Sequence, residues 1–162
     1  MSTKAIKAGL TKGLVFGYGG KTKFSTVTRG SFQLNASHLE EGDLTYHDEW
    51  LPGNTGGGQE LIKVGDQRFT RLYAGGVIKE DKLKEFGITK KDVIDFLKTT
   101  ILKQQQKTRL FQSCNPKSKT DWSYSYQILD SQKSVPVIFA KETISFRGQV
   151  VFIHSFLLCP IT

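Results

Sequence analysis

The stretch from Thr89 to Gln106 constrains the fold most. Val93, Ile94, Phe96, Leu97, Ile101 and Leu102 recur at the i, i+3, i+4, i+7, i+8 spacing of an amphipathic helix. Thr89 stands three residues before Asp92, which is capping-box spacing with Asp in place of Glu. On both sides of this helix the apolar period falls from 3.6 to two. A helix with one apolar stripe, set between alternating segments, packs on a sheet. The expectation is an α+β chain: a mainly antiparallel sheet, built from two related strand-hairpin units, on one central amphipathic helix.

The flanking segments supply the strands. Leu44, Tyr46, Trp50 and Leu51 begin one alternating face. Leu51 to Gly58, LPGNTGGG, reads as a loop from composition. Glu60 to Val64 alternates again, Gly65-Asp66 reads as a turn, and Phe69 to Ile78 as a strand. Beyond the helix, Asp121 to Leu129, Val135 to Phe146 and Gln149 to Leu158 read as strands, with Gly148 at the last turn. Ile6, Leu10 and Leu14 mark a short N-terminal helix, Thr3 to Lys12, capped by Ser2 or Thr3 and ended by Gly13, Gly17, Gly19 and Gly20. Phe24 to Leu34 reads as extended or irregular, and Glu80 to Phe86 as a short helix stopped by Gly87.

The two halves resemble each other. TYHDEW and the GQELIKVGDQRF run parallel WSYSY and the AKETISFRGQVVF run, with Glu60 matching Glu142 and Ile62 matching Ile144. The expected repeat spans 42–78 and 120–161 within a single domain, 1–162. A chain of 162 residues buries about two-thirds of its unfolded surface and folds without a metal or disulfide. Cys114 and Cys159 lie too far apart for a zinc-finger spacing, and leave free thiols or one disulfide open. No run approaches the roughly 20 apolar residues of a spanning helix, and no signal-peptide core is visible. The expectation is a soluble cytoplasmic protein that binds neither membrane nor cofactor.

From Gly30 to Ile78 the sequence carries GSFQLNASHLEEGDLTYHDEW, a glycine-rich stretch, GQE and LYAGGVI. FLK at Phe96 to Lys98 and the later Trp-x-Tyr strand with its Glu hairpin follow. In this order the segments resemble an uncharacterised bacterial domain family of unknown function. Its members occur alone or C-terminal to helix-turn-helix regulators of the Xre type. At Phe69, Arg71 and Leu72 the chain departs from that family's pattern of an aromatic residue followed by Met and Asn. The resemblance implies a fold and, through the regulator fusions, a sensory ligand-binding role.

No motif identifies an enzyme. GNTGGGQE lacks the Lys-Ser/Thr of a P-loop and opens no helix. The leading expectation is a non-enzymatic module whose small-ligand or partner site is lined by Tyr46, Trp50, Tyr73, Trp122, Tyr124 and Tyr126. Such aromatics beside a glycine loop have the composition of a pocket. The alternative is a hydrolase using Glu60, Glu142 or His47 as acid or base, since paired carboxylates divide acid and base roles. A pairing of Cys114 with His154 rests on residue types alone. No metal site is expected, because His47 and Glu49 supply too few ligands. The net charge of +8 is concentrated between Lys79 and Lys119, where 11 basic residues face 5 acidic ones. Lys84, Lys91 and Lys98 are expected to form a ridge that attracts an acidic protein or, weakly, nucleic acid.

Overall fold

The computed structural model describes residues 3–18 and 24–162. An N-terminal helix, α1 (Thr3–Tyr18), precedes five strands: β1 (Ser25–Arg29), β2 (Phe32–Glu41), β3 (Leu44–Trp50), β4 (Thr55–Val64) and β5 (Gln67–Val77). Two helices follow, α2 (Glu80–Glu85) and α3 (Lys90–Gln104), then a 3-10 turn (Gln105–Lys107). The chain closes with β6 (Trp122–Ser131), β7 (Ile138–Phe146) and β8 (Gln149–Pro160). All eight strands form one antiparallel sheet in the order β1-β2-β3-β4-β5-β8-β7-β6. The protein is thus α+β, with the meander β1 to β5 joined along β5 to the meander β6 to β8.

Short turns fix the register. Glu41 pairs with Leu44 and Val64 with Gln67, so Gly42-Asp43 and Gly65-Asp66 are two-residue turns. Gly42 and Gly65 take positive φ, the conformation such hairpin turns need. The alternation then sends one set of residues to a single face. On β4, Glu60 and Ile62 are buried while Leu61 and Lys63 are exposed. The register carries this inner face across the sheet as Tyr46, Ile62 and Phe69, and next to it as Asp48, Glu60 and Arg71.

Helix α3 forms as its spacing requires. Thr89 takes an extended backbone and its side chain accepts from the Asp92 amide, while Asp92 accepts from the Thr89 amide. Val93, Leu97 and Ile101 are buried in one cluster with Leu83 of α2 and with Tyr124, Ile144 and Phe146 of the sheet. Burying each such aliphatic side chain contributes about 2 kcal/mol. Trp122 stacks on Phe96 of α3 at 5.1 Å and tilts against Phe146 at 4.8 Å.

Two local readings change. The N-terminal helix does not stop near Lys12; it continues through Gly13 to Tyr18. A Cβ at Gly9 would stand 2.8 Å from Ile62, and one at Gly13 would overlap the Tyr46 ring. These glycines are close-approach positions: Ile6 and Leu10 share a core cluster with Leu44, Tyr46 and Ile62. The cap at Ser2 or Thr3 and the glycines at 19 and 20 lie outside the described residues and side chains. Likewise, only residues 51–54 of LPGNTGGG lie outside a strand, because β4 begins at Thr55. Gly75 and Gly76 of β5 sit at φ +141° and +145°, opposite Gly56 and Thr55. A Cβ at either would run into backbone carbonyls, of Ile153 and of Asn54. Glycine here lets neighbouring strands approach rather than freeing a loop.

Candidate functional site

Charged side chains in the inward phase of a strand are costly unless paired. The inner face holds two pairs, each of the same composition. Arg71 donates to both oxygens of Glu60, from Nη2 at 2.6 Å and from Nε, and Tyr46 donates its hydroxyl to Glu60 Oε1 at 2.6 Å. Arg109 donates to both oxygens of Glu142, at 2.8 and 2.6 Å, and Tyr124 donates to Glu142 Oε1 at 2.6 Å. Arg71 also donates to the carbonyl of Arg109, which links the pairs. Arg109 holds φ at +54° to make these contacts, a left-handed backbone unusual for a non-glycine residue. Its guanidinium lies 5.3 Å from the ring centre of Phe156 and 5.2 Å from that of Tyr18, whose hydroxyl accepts a hydrogen bond from it at 2.8 Å. Burial pushes the Glu60 carboxyl up, but the Arg71 charge and hydrogen bonds outweigh it and hold the group below the usual range. Each glutamate thus accepts three hydrogen bonds, two from a guanidinium and one from a tyrosine hydroxyl.

A second set of polar groups lies beside these pairs. Asp48 stands on β3 opposite Glu60, and the only hydrogen bond to its carboxyl among the described residues comes from the Tyr73 hydroxyl at 3.1 Å. Tyr73 reaches it across Gly58, where any Cβ would collide with the phenol. Burial, and then the neighbouring Glu60 charge, push the Asp48 carboxyl up to about 8. His154 stands on β8 opposite Glu142, with its ring centre 5.5 Å from that of Tyr73. Its Nδ1 is buried and has no hydrogen-bond partner among the described residues; the nearest Glu142 oxygen is 3.8 Å away. Burial, and then the Arg109 charge, push the imidazole down to about 4. At neutral pH the sheet therefore presents a protonated carboxyl, a phenol and a neutral imidazole in sequence.

Of the expected aromatics, Tyr73, Trp122, Tyr124 and Tyr126 belong to one core cluster and Tyr46 to a second. Tyr46, Tyr124 and Tyr126 are buried in the core, with Tyr126 donating to the Leu110 carbonyl at 2.7 Å. Trp122 joins α3 to the sheet. Trp50 is half-buried and meets Phe24 edge-on at 5.7 Å. Of the six aromatics, Tyr73 alone hydrogen-bonds to the Asp48 carboxyl. His47 lies on the opposite face of the sheet, bonded to Glu49 at 3.0 Å, in a depression of about 490 Å³ with Arg29, Leu61 and Leu72. A smaller cavity of about 280 Å³ lies between Ile6, Phe69, Phe111 and Pro160. None of the six aromatics lines either one.

Of the three lysines expected to form a ridge, Lys84 stands on α2 and Lys91 and Lys98 on α3; Lys91 pairs with Asp95 one turn on, and Lys84 lies 4.0 Å from Asp81. Lys98 is exposed. The positive charge in the first turn of α3 thus has a local partner. Both cysteines are free thiols, and burial pushes the Cys114 thiol up, away from the thiolate a nucleophile needs. Among the described residues no cluster of three or more His, Cys, Asp or Glu is placed to hold a metal ion. Nor is any described helix long and apolar enough to cross a membrane.

No protein-family model, curated protein or solved structure matches the chain.

Asp48, Arg71 and His154 were legible as a class: each is a polar residue in the inward phase of an apolar strand. Arg71 shares its phase with Phe69 and Tyr73, and His154 with Phe152 and Phe156. Arg109 had no such signal, since it lies in an irregular segment without a period.

Proposed function

We propose that this protein is a non-enzymatic small-ligand-binding module whose site is built on Asp48, Tyr73 and His154. The observation that carries this reading is the buried His154 Nδ1 without a partner. An unmet buried polar atom costs about 1–3 kcal/mol. A ligand that bonds it recovers that energy. The buried Glu60–Arg71 and Glu142–Arg109 pairs act as the rigid frame that holds the strands around the site.

We also read the two strand units as copies of one ancestor. The register supports this, because Tyr46 faces Ile62 as Tyr124 faces Ile144. In each unit the tyrosine bonds the glutamate two residues before that isoleucine. On this reading Arg71 and His154 occupy corresponding places, opposite Glu60 and Glu142. The second copy has exchanged its in-strand arginine for a histidine and draws its arginine from position 109. A sensory role, which the resemblance to domains fused to helix-turn-helix regulators implies, fits such a site.

The test is a thermal-shift screen of a broad metabolite library against the native protein and His154→Phe. The expected result is at least one compound that raises the native midpoint and fails to raise that of the variant. A screen without hits, or hits indifferent to His154→Phe, would overturn the reading.

A further inference from the structure

One carboxyl of the inner face has no guanidinium partner among the described residues. Among these residues the face holds three carboxyl groups, Asp48, Glu60 and Glu142, and two guanidinium groups, Arg71 and Arg109. Each guanidinium is engaged by a glutamate through two hydrogen bonds. Asp48 receives only the neutral Tyr73 hydroxyl. Two aromatic side chains lie beside it. Tyr73 crosses Gly58, and Trp50 follows Asp48 by two residues on the same face of β3, opposite that glycine. A carboxyl lacking a cation, with two aromatic side chains beside it, is the chemistry that recognises an ammonium group.

Resting on the reading of Asp48, Tyr73 and His154 as a ligand site, we propose that its ligand is a small organic cation, a primary amine whose ammonium meets Asp48 and whose body lies against Tyr73 and Trp50. An anion gains no counter-charge from Asp48 and is repelled by it once the carboxyl ionises above about 8. The groups acting on Asp48 are Tyr46 on its own strand, Glu60 on β4, Arg71 and Tyr73 on β5, and Arg109 from the segment after α3. Of these, Glu60 stays ionised, and Tyr46 and Tyr73 are held well above their ordinary range; His154, beyond Tyr73, stays neutral above about 4. Asp48 is thus the group that changes charge near neutrality. An ammonium ligand selects its ionised form, so binding releases a proton and strengthens as pH rises towards 8.

The experiment is calorimetry with three probes of one shape: benzylamine, benzyl alcohol and benzoate. It is run at about pH 6 and about pH 8.5, either side of the Asp48 transition, in buffers of differing ionisation enthalpy. Benzylamine is expected to bind tightest, to bind at least roughly tenfold more strongly at the higher pH, and to release a proton at the lower one. Asp48→Asn is expected to lose this preference, and Trp50→Leu to weaken benzylamine more than benzyl alcohol. The proton release of the native protein stands independently of how either variant folds. The inference is overturned if benzylamine binds no tighter than the other two, if none of the three binds, or if Asp48→Asn leaves its affinity unchanged. A library compound that binds through His154 in those cases would still leave the ligand-site reading standing, whereas a silent library removes both.

Discussion

Arg71 is fully buried and has no route to water, so its charge depends entirely on its partners. Removing one member of such a pair strands the other. Arg71→Met is expected to destabilise the protein by roughly 3–5 kcal/mol in urea denaturation. Replacing Glu60 and Arg71 together by apolar residues of similar volume should cost far less, because no orphan charge remains. A loss below about 1 kcal/mol for the single variant would contradict the buried pairing. Tyr46 adds a dependence of its own, since its hydroxyl meets the same carboxylate. Tyr46→Phe should cost about 1.5–3 kcal/mol, the range for a hydrogen bond to a charged group, and a thermal midpoint unchanged by that substitution would count against it.

The helices show how an element reads differently alone and in contact. Gly13 resembles a helix stop when only the sequence of α1 is considered, and in an exposed helix its replacement by Ala would add about 0.5–1 kcal/mol of stability. Here the new Cβ would enter the Tyr46 ring, which is buried and tied to Glu60. Gly13→Ala is therefore expected to lower the thermal midpoint, and a raised midpoint would show that α1 does not rest on β3 as described. Helix α3 is the opposite case: its cap and its apolar stripe were both legible, because Thr89, Asp92, Val93, Leu97 and Ile101 act within a single element. Thr89→Ala should cost about 1 kcal/mol, read from the urea midpoint. The glycines of LPGNTGGG misled for the same reason as Gly13. Composition marks where Cβ is missing, whereas the partner strand decides whether that absence makes a loop or a close approach.

Across the whole molecule, the alternating phase made the sheet readable and left its pairing order open. No local signal placed β5 beside β8, since that contact joins residues some 80 positions apart, such as Tyr73 and Phe156. The candidate site straddles this seam, which is why Asp48, Tyr73 and His154 did not stand out together. Their placement has a global consequence for stability against pH. The folded protein holds His154 neutral down to about 4, while the unfolded chain protonates it near 6.5, so this group lowers stability as pH falls through that window. The folded protein holds Asp48 protonated up to about 8, while the unfolded chain releases that proton near 3.8, so this group lowers stability as pH rises between those values. The two effects oppose each other below about 6.5. From there to about 8 Asp48 acts alone. Urea denaturation should show stability falling across that upper window in the native protein and not in Asp48→Asn.

The most direct measurement is the titration of the Asp48 carboxyl itself, followed by carbon NMR in the native protein. The account predicts a midpoint of about 8, with the nearby Glu60 still ionised through the whole transition. A midpoint near the ordinary value of 3.8 would mean that Asp48 already has its counter-charge, and the uncompensated acid at the centre of the proposed site would not exist.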